Sequence, residues 1–143
     1  MKNVRYLFVL MSLLFLVACG GDVADLTVEE YIEANNLETT ELDSGVHISI
    51  DRPGNNRKPN INSTVVVNYK GFLTNGNVFD QRSNQEFQLA GLIEGWRIGL
   101  KEIGEGGSCT LVIPPGAGYG SSANGTIPAN SVLVFEMDLL EVK

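Results

Sequence analysis

Histidine and cysteine are almost absent from this chain of 143 residues: His47 stands alone, and the two cysteines are Cys19 and Cys109. The usual zinc sites need three or four His, Cys or carboxylate ligands in local clusters, and no such cluster is readable here. A Ser-His-Asp triad would have to rest on His47 alone. Basic charge is scarce too. Ten Lys and Arg stand against 17 Asp and Glu, a formal charge of −7, and losing Lys2 and Arg5 with a cleaved leader would take it two units further, to −9. Nucleic acid requires a positive footprint that is missing, so no nucleic-acid partner is expected. The length leaves room for one core, which excludes a doubly wound nucleotide-binding pair and a complete (β/α) barrel. Gly116-Ala117-Gly118-Tyr119-Gly120 has neither dinucleotide-loop spacing nor a following helix. No cofactor and no metal are expected.

Long apolar runs are limited to one, Tyr6 to Val17, preceded by Lys2 and Arg5 and followed by Ala18-Cys19. This is the layout of an export signal, with a charged start, an apolar middle and a small residue before the cut. As a helix it would span only ~18 Å against a hydrocarbon core of ~30 Å, too short for a permanent transmembrane segment. Leu16-Val17-Ala18-Cys19 resembles the lipobox of bacterial lipoproteins, which implies that Cys19 is acylated and becomes the mature N-terminus. Residues 1–18 are then a lipoprotein signal peptide and residues 19–44 a lipidated tether with a short spacer helix. One acyl chain gives marginal membrane binding, so the two or three implied by the resemblance would make the anchor stable. Acylated Cys19 cannot pair, and Cys109 is left without an intramolecular partner, which excludes a disulfide framework.

The remaining chain changes period repeatedly. Thr27-Val28-Glu29-Glu30 has capping-box spacing, so a short helix is expected from Thr27 to Asn35-Asn36. From Val46 the period is two, placing Val46, Ile48 and Ile50 on one face and turning His47 to solvent. Arg52 to Asn62 reads as a loop. Val65, Val67 and Tyr69 share a strand face, Asn75-Gly76 makes a tight turn, and Val78-Phe79 begins the return strand. Phe87 and Leu89 suggest a further short strand. Ile93, Trp96, Leu100 and Ile103 then fall on one helical stripe, stopped by the glycines from Gly104 to Gly107. Cys109, Leu111 and Ile113 align on another strand, with Cys109 a small buried apolar residue. A long loop covers Gly116 to Asn130, and Leu133, Phe135, Met137 and Leu139 face one way on the last strand. The pattern predicts an α+β fold, an antiparallel sheet of five or six strands with one short helix packed on it. Taken singly, an inward Phe135, Phe79 or Trp96 is an ordinary core residue, and Asp80 an ordinary turn residue. The sequons at Asn62 and Asn124 sit behind a bacterial-type leader and are set aside.

Six blocks taken together go further. Val65-Val66-Val67-Asn68-Tyr69-Lys70-Gly71, Asn75-Gly76, Val78-Phe79-Asp80, Leu92-Ile93-Glu94-Gly95-Trp96, Gly118-Tyr119-Gly120 with Thr126-Ile127-Pro128, and Leu133-Val134-Phe135 resemble the FKBP-type (macrolide-binding) peptidyl-prolyl isomerases. The resemblance implies an isomerase domain over residues 45–143, with a half-barrel sheet wrapped on the short helix and a shallow apolar pocket between them. It implies that Tyr69, Phe79 and Phe135 form walls and Trp96 the floor, with Leu92 and Ile93 lining it. The Ile93 N–H would bind a substrate carbonyl, Tyr119 and Ile127 would belong to an overhanging loop, and Asp80 would be a polar rim group. The sequence departs from the family pattern at Gln85-Glu86, where another aromatic is frequent, so a weaker wall is expected there. It departs also at Gln81-Arg82, where small residues are common, and at Thr126, where a branched apolar residue is frequent.

The expected activity is rotation of X-Pro bonds in unfolded or exported proline-containing polypeptides, with macrolides as inhibitors implied by the resemblance. The membrane would be a partner only through the lipid anchor. A monomer is expected, since one short N-terminal helix is too little for a long dimerisation arm. The location implied is the extracytoplasmic side of a bacterial membrane, periplasmic or at the outer membrane, with Gly20 after Cys19 favouring the latter. Two other readings stand beside this one: a peptide-binding, chaperone-like module without useful catalysis, and an inert envelope domain whose aromatics are all core.

Overall fold

The computed structural model describes residues 25–143; the expected leader and Cys19 lie outside the described residues. The order is α1 (Val28–Ala34), β1 (Thr40–Glu41), β2 (His47–Arg52), β3 (Thr64–Leu73), β4 (Val78–Gln88), α2 (Glu94–Gly99), β5 (Ser108–Ile113) and β6 (Leu133–Val142). The six strands form one sheet in the order β1-β2-β5-β6-β3-β4, every neighbouring pair antiparallel. This is the expected α+β architecture, at the upper end of the expected strand count.

Period-two alternation gives the sheet two apolar faces. On one, Val65, Val67, Tyr69, Leu111, Ile113, Leu133, Phe135, Met137 and Leu139 meet Trp96 from α2, Leu100 from the 3-10 turn after it and Ile103 just beyond that turn. Full burial of such a side chain stabilises by roughly 1.5–3 kcal/mol, so this cluster dominates the packing. Helix α2 sits close because two of its residues carry no side chain. A Cβ at Gly95 would lie 2.5 Å from Ile113 Cδ1, and one at Gly99 2.4 Å from Leu111 Cδ2. The i, i+4 spacing puts both glycines on the face that meets β5.

The other face holds Val112, Val132 and Val134, covered by Val28 and Tyr31 of α1, with Phe72 and Leu26 alongside. Helix α1 carries the expected capping box: Glu30 N–H donates to Thr27 Oγ1, and Thr27 N–H donates to Glu30 Oε2. It is not a free spacer, however. A seven-residue helix is marginal alone, and docking onto the sheet holds it.

Three local expectations are corrected. Phe87 belongs to no separate strand, because β4 runs unbroken to Gln88 and Leu89 enters a 3-10 turn. Ile50 is 45 % exposed, since a bulge between Ile50 and Arg52 breaks the alternation at the end of β2. His47 is half-buried, its Nδ1 hydrogen-bonded with Thr39 Oγ1 at 3.0 Å. Cys109 is buried as expected, and desolvation, followed by the charges of Asp51 and Asp138, pushes its thiol up to about 12.

Candidate functional site

A cavity of about 470 Å³ opens between the concave face of the sheet, the start of α2 and the β5–β6 loop. Strand β3 brings Tyr69, β4 brings Phe79 and Asp80, β6 brings Phe135, and α2 brings Trp96 from below. Leu92 and Ile93, just before α2, form one side, and Tyr119 and Ile127 the overhang. All nine residues singled out in the sequence therefore converge on one cavity.

The aromatic rings meet edge to face. Trp96 lies 5.0 Å from Tyr69 and 5.1 Å from Phe135, at interplanar angles of 77° and 90°, and 5.9 Å from Phe87 at 84°. Phe79 stands 5.5 Å from Phe135 at 81°. Such geometries satisfy the ring quadrupoles and add about 0.5–1.5 kcal/mol per pair beyond burial, so the walls hold their orientation. Trp96 and Phe135 are nearly inaccessible, at 4 % and 3 %, while Tyr119 is 37 % exposed at the rim. A partly exposed Tyr119 and a half-buried Phe79 around one concavity count against a purely structural role for the aromatics.

The two charged side chains are paired, whereas the buried Trp96 Nε1 has no hydrogen-bond partner among the described residues. The Tyr69 hydroxyl donates to Asp80 Oδ2 at 2.5 Å, and Arg82 Nε lies 3.4 Å from Asp80 Oδ1. Burial first, then the hydrogen bond and charge of Asp80, push the Tyr69 phenol up to about 12, partly opposed by Arg82. Tyr69 is therefore a neutral donor at any physiological pH. No backbone or side-chain acceptor pairs with the Ile93 N–H among the described residues, and Ile93 stands at the cavity wall as the N-cap of α2. The overhang is braced as a small hairpin, with Asn124 and Ile127 exchanging backbone bonds at 2.9 Å and Asn130 N–H donating to Gly120 O. Ile127 is 6 % exposed and is as much a core anchor as a lining residue.

Five further residues line the cavity: Arg82, Phe87, Asn124, Gly125 and Thr126. Phe87 lines the cavity, whereas the neighbouring Gln85-Glu86 do not. Its apolar side chain two residues before Leu89, in a strand-like stretch, was a usable signal. Arg82 was not readable that way. Register shifts between Val67/Tyr69 and between Gly71/Phe72 insert an extra β4 residue each time, bringing Asp80 and Arg82 to the face that simple alternation assigns to Phe79 and Phe87.

A family profile described as FKBP-type peptidyl-prolyl cis-trans isomerase matches residues 55–140. The chain belongs to this family. Among known relatives of this FKBP-type chain is the FKBP-type peptidyl-prolyl cis-trans isomerase FkpA of Escherichia coli K12. It is 40 % identical over 119 residues, covering 80 % of this chain and 43 % of the relative. A probable FKBP-type isomerase of Haemophilus influenzae is 37 % identical over 118 residues, covering 79 % and 48 %. This chain thus spans less than half the length of these curated relatives. In structure it is similar to crystalline FkpA from Escherichia coli, with a TM-score of 0.76, 40 % identity and coverage of 81 % of this chain and 57 % of that one. It is similar also to a peptidyl-prolyl cis-trans isomerase from Pseudomonas syringae pv. tomato, with a TM-score of 0.74, 32 % identity and coverage of 81 % and 90 %.

Proposed function

We propose that the chain is a peptidyl-prolyl cis-trans isomerase acting on proline-containing segments of exported polypeptides. The observation that carries this reading is a cavity walled by Tyr69, Phe79, Phe87, Trp96 and Phe135, whose charged groups, Asp80 and Arg82, are paired with each other. Rotation about X-Pro has a barrier of ~18–20 kcal/mol because the planar amide is resonance-stabilised, and no bond is broken in crossing it. The reaction needs no nucleophile. The twisted amide has lost resonance and carries less charge on its carbonyl oxygen, so it leaves water for an aromatic pocket at less cost than the planar form does. In this reading Trp96, Phe79 and Phe135 hold the proline ring, and the Ile93 N–H donates to a substrate carbonyl. Tyr119 and Ile127 close over the chain, and Tyr69 and Asp80 fix the rim. Bringing exchange from ~100 s to ~10 ms requires about 5.4 kcal/mol, within reach of a desolvated pocket with one or two fixed hydrogen bonds.

The test is exchange in a Leu-Pro tetrapeptide, followed by NMR with the full chain held in mild detergent. Acceleration that falls at least tenfold in Phe135→Ala is expected. No acceleration by the intact protein sinks the reading; tight binding without acceleration would establish the peptide-binding module instead. Export and acylation at Cys19 complete the proposal, placing a monomeric domain on the extracytoplasmic face of a bacterial membrane. Mass spectrometry of the mature N-terminus checks them, and an unmodified N-terminus would refute the anchor.

A further inference from the structure

We infer that Gly71 is a positioning residue for the pocket, and that its missing side chain is what lets Phe79 and Asp80 face the cavity together. The inference rests on the isomerase reading for its catalytic consequence, but not for its geometry. Consecutive strand residues normally point to opposite faces. Here Gly71 pairs with Asp80 and Phe72 pairs with Val78, so Phe79 is the extra residue of a bulge. Bulges re-aim side chains. The result is an aromatic wall and a polar rim group delivered from adjacent positions, both lining the same cavity.

Space for that arrangement comes from across the ladder. A Cβ at Gly71 would lie 2.6 Å from Phe79 Cε2, 2.7 Å from Phe79 Cζ and 2.6 Å from Phe135 Cε1. Gly71 is not among the residues with positive φ, so its backbone would accept any L residue; room, not conformation, demands glycine. Carbon atoms in contact rest about 3.5–4.0 Å apart, so a methyl at 71 displaces a ring by roughly 1 Å. The two rings are not equally free. Phe135 is 3 % exposed and wedged edge-on against Trp96, whereas Phe79 is only partly buried and borders the cavity. A methyl at 71 meets both rings, so both must give: Phe79 moves into the space where substrate would lie, and Phe135 moves only by disturbing its edge-on contact with Trp96. A displacement of about 1 Å in a positioned group can cost on the order of 10²-fold in rate.

Gly71→Ala is expected to lower kcat/KM for a Leu-Pro tetrapeptide by about tenfold to a hundredfold, measured on full-length protein whose folded fraction is fixed by a parallel thermal melt. Phe79→Leu removes the two Phe79 ring atoms nearest position 71 and frees space into which Phe135 can shift, so it should lower activity in the wild-type background yet raise it at least threefold in the Gly71→Ala background. That change of sign distinguishes positioning from mere loss of stability. Gly71→Ala within twofold of wild type, or Phe79→Leu lowering both backgrounds equally, overturns the inference. Should Gly71→Ala fail to fold, the wild-type protein decides: nuclear Overhauser contacts from Gly71 Hα to the Phe79 and Phe135 ring protons are required, and their absence overturns it. Should the wild type fail to accelerate exchange, the isomerase reading alone falls, and those contacts still judge the geometry.

Discussion

Replacing Asp80 with Asn removes one charge from the cavity rim while keeping the side chain's shape. Asp80 accepts the Tyr69 hydroxyl at 2.5 Å, and burial first, then this hydrogen bond and the Asp80 charge, partly opposed by Arg82, push that phenol up to about 12 from 10. The protonated phenol is thus favoured in the folded state. Its contribution to stability is fully present below pH 10 and is lost as the pH rises from 10 to 12. Two units at ~1.36 kcal/mol each give a ceiling of about 2.7 kcal/mol. Water reaches the pair, since the Asp80 side chain is 42 % exposed, and screening reduces the figure to about 1 kcal/mol. Asn at position 80 leaves the burial cause intact and removes the carboxylate's charge and strong acceptor, so the Tyr69 midpoint should move down toward 10. Phenolate absorbance titrations of wild type and Asp80→Asn, each minus its Tyr69→Phe counterpart, isolate that one transition. Urea unfolding at pH 8 and pH 11 should show wild type losing more stability over the interval than Asp80→Asn. A Tyr69 transition unmoved by Asp80→Asn would refute the coupling, and with it the account of Asp80 as the group that orients Tyr69.

Other perturbations separate function from packing. Tyr119→Ala removes a rim residue that is 37 % exposed, so KM for a Pro peptide should rise severalfold while the thermal midpoint stays within about 2 °C, as surface substitutions usually do. Leu111→Ala deletes a fully buried side chain packed against Gly99, and should cost about 3 kcal/mol in a denaturant melt; less than 1 kcal/mol would mean that α2 does not rest on β5 as described. Cys109, with its thiol pushed up to about 12 by burial, should resist a thiol reagent at pH 8 in the native state and react within minutes in urea; rapid native labelling would contradict its placement.

How much of this was legible in the chain depended on whether a feature is local or shared between strands. Alternation over Val65, Val67 and Tyr69, the Asn75-Gly76 turn and the Thr27-Glu30 box are each contained in a few residues, and each forms as the pattern demands, whereas the Trp96 stripe is α-helical only over Glu94–Gly99, with Leu100 in a 3-10 turn and Ile93 and Ile103 flanking. Asn75-Gly76 forms the turn because glycine accepts a φ of +88° at Gly76. The role of α1 was not legible, since a helix with a modest apolar face reads as a spacer until Val112, Val132 and Val134 are seen beneath it. Nor was Arg82, whose direction is set by bulges that exist only as a mismatch between β3 and β4.

By itself, the sequence carried most of the element types and the two-faced strands, because periodicity is a property of one chain read in order, while the family and the nine cavity residues came through the resemblance of its motif blocks. Only the tertiary structure decided how those residues meet. It placed Phe87 in the aromatic wall, paired Asp80 with both Tyr69 and Arg82, and docked α1 on the far face of the sheet. It also showed that Gly71 keeps its place for want of room rather than for backbone freedom. Each of these is a relation between atoms far apart along the chain, fixed by register and close packing, which no local pattern records.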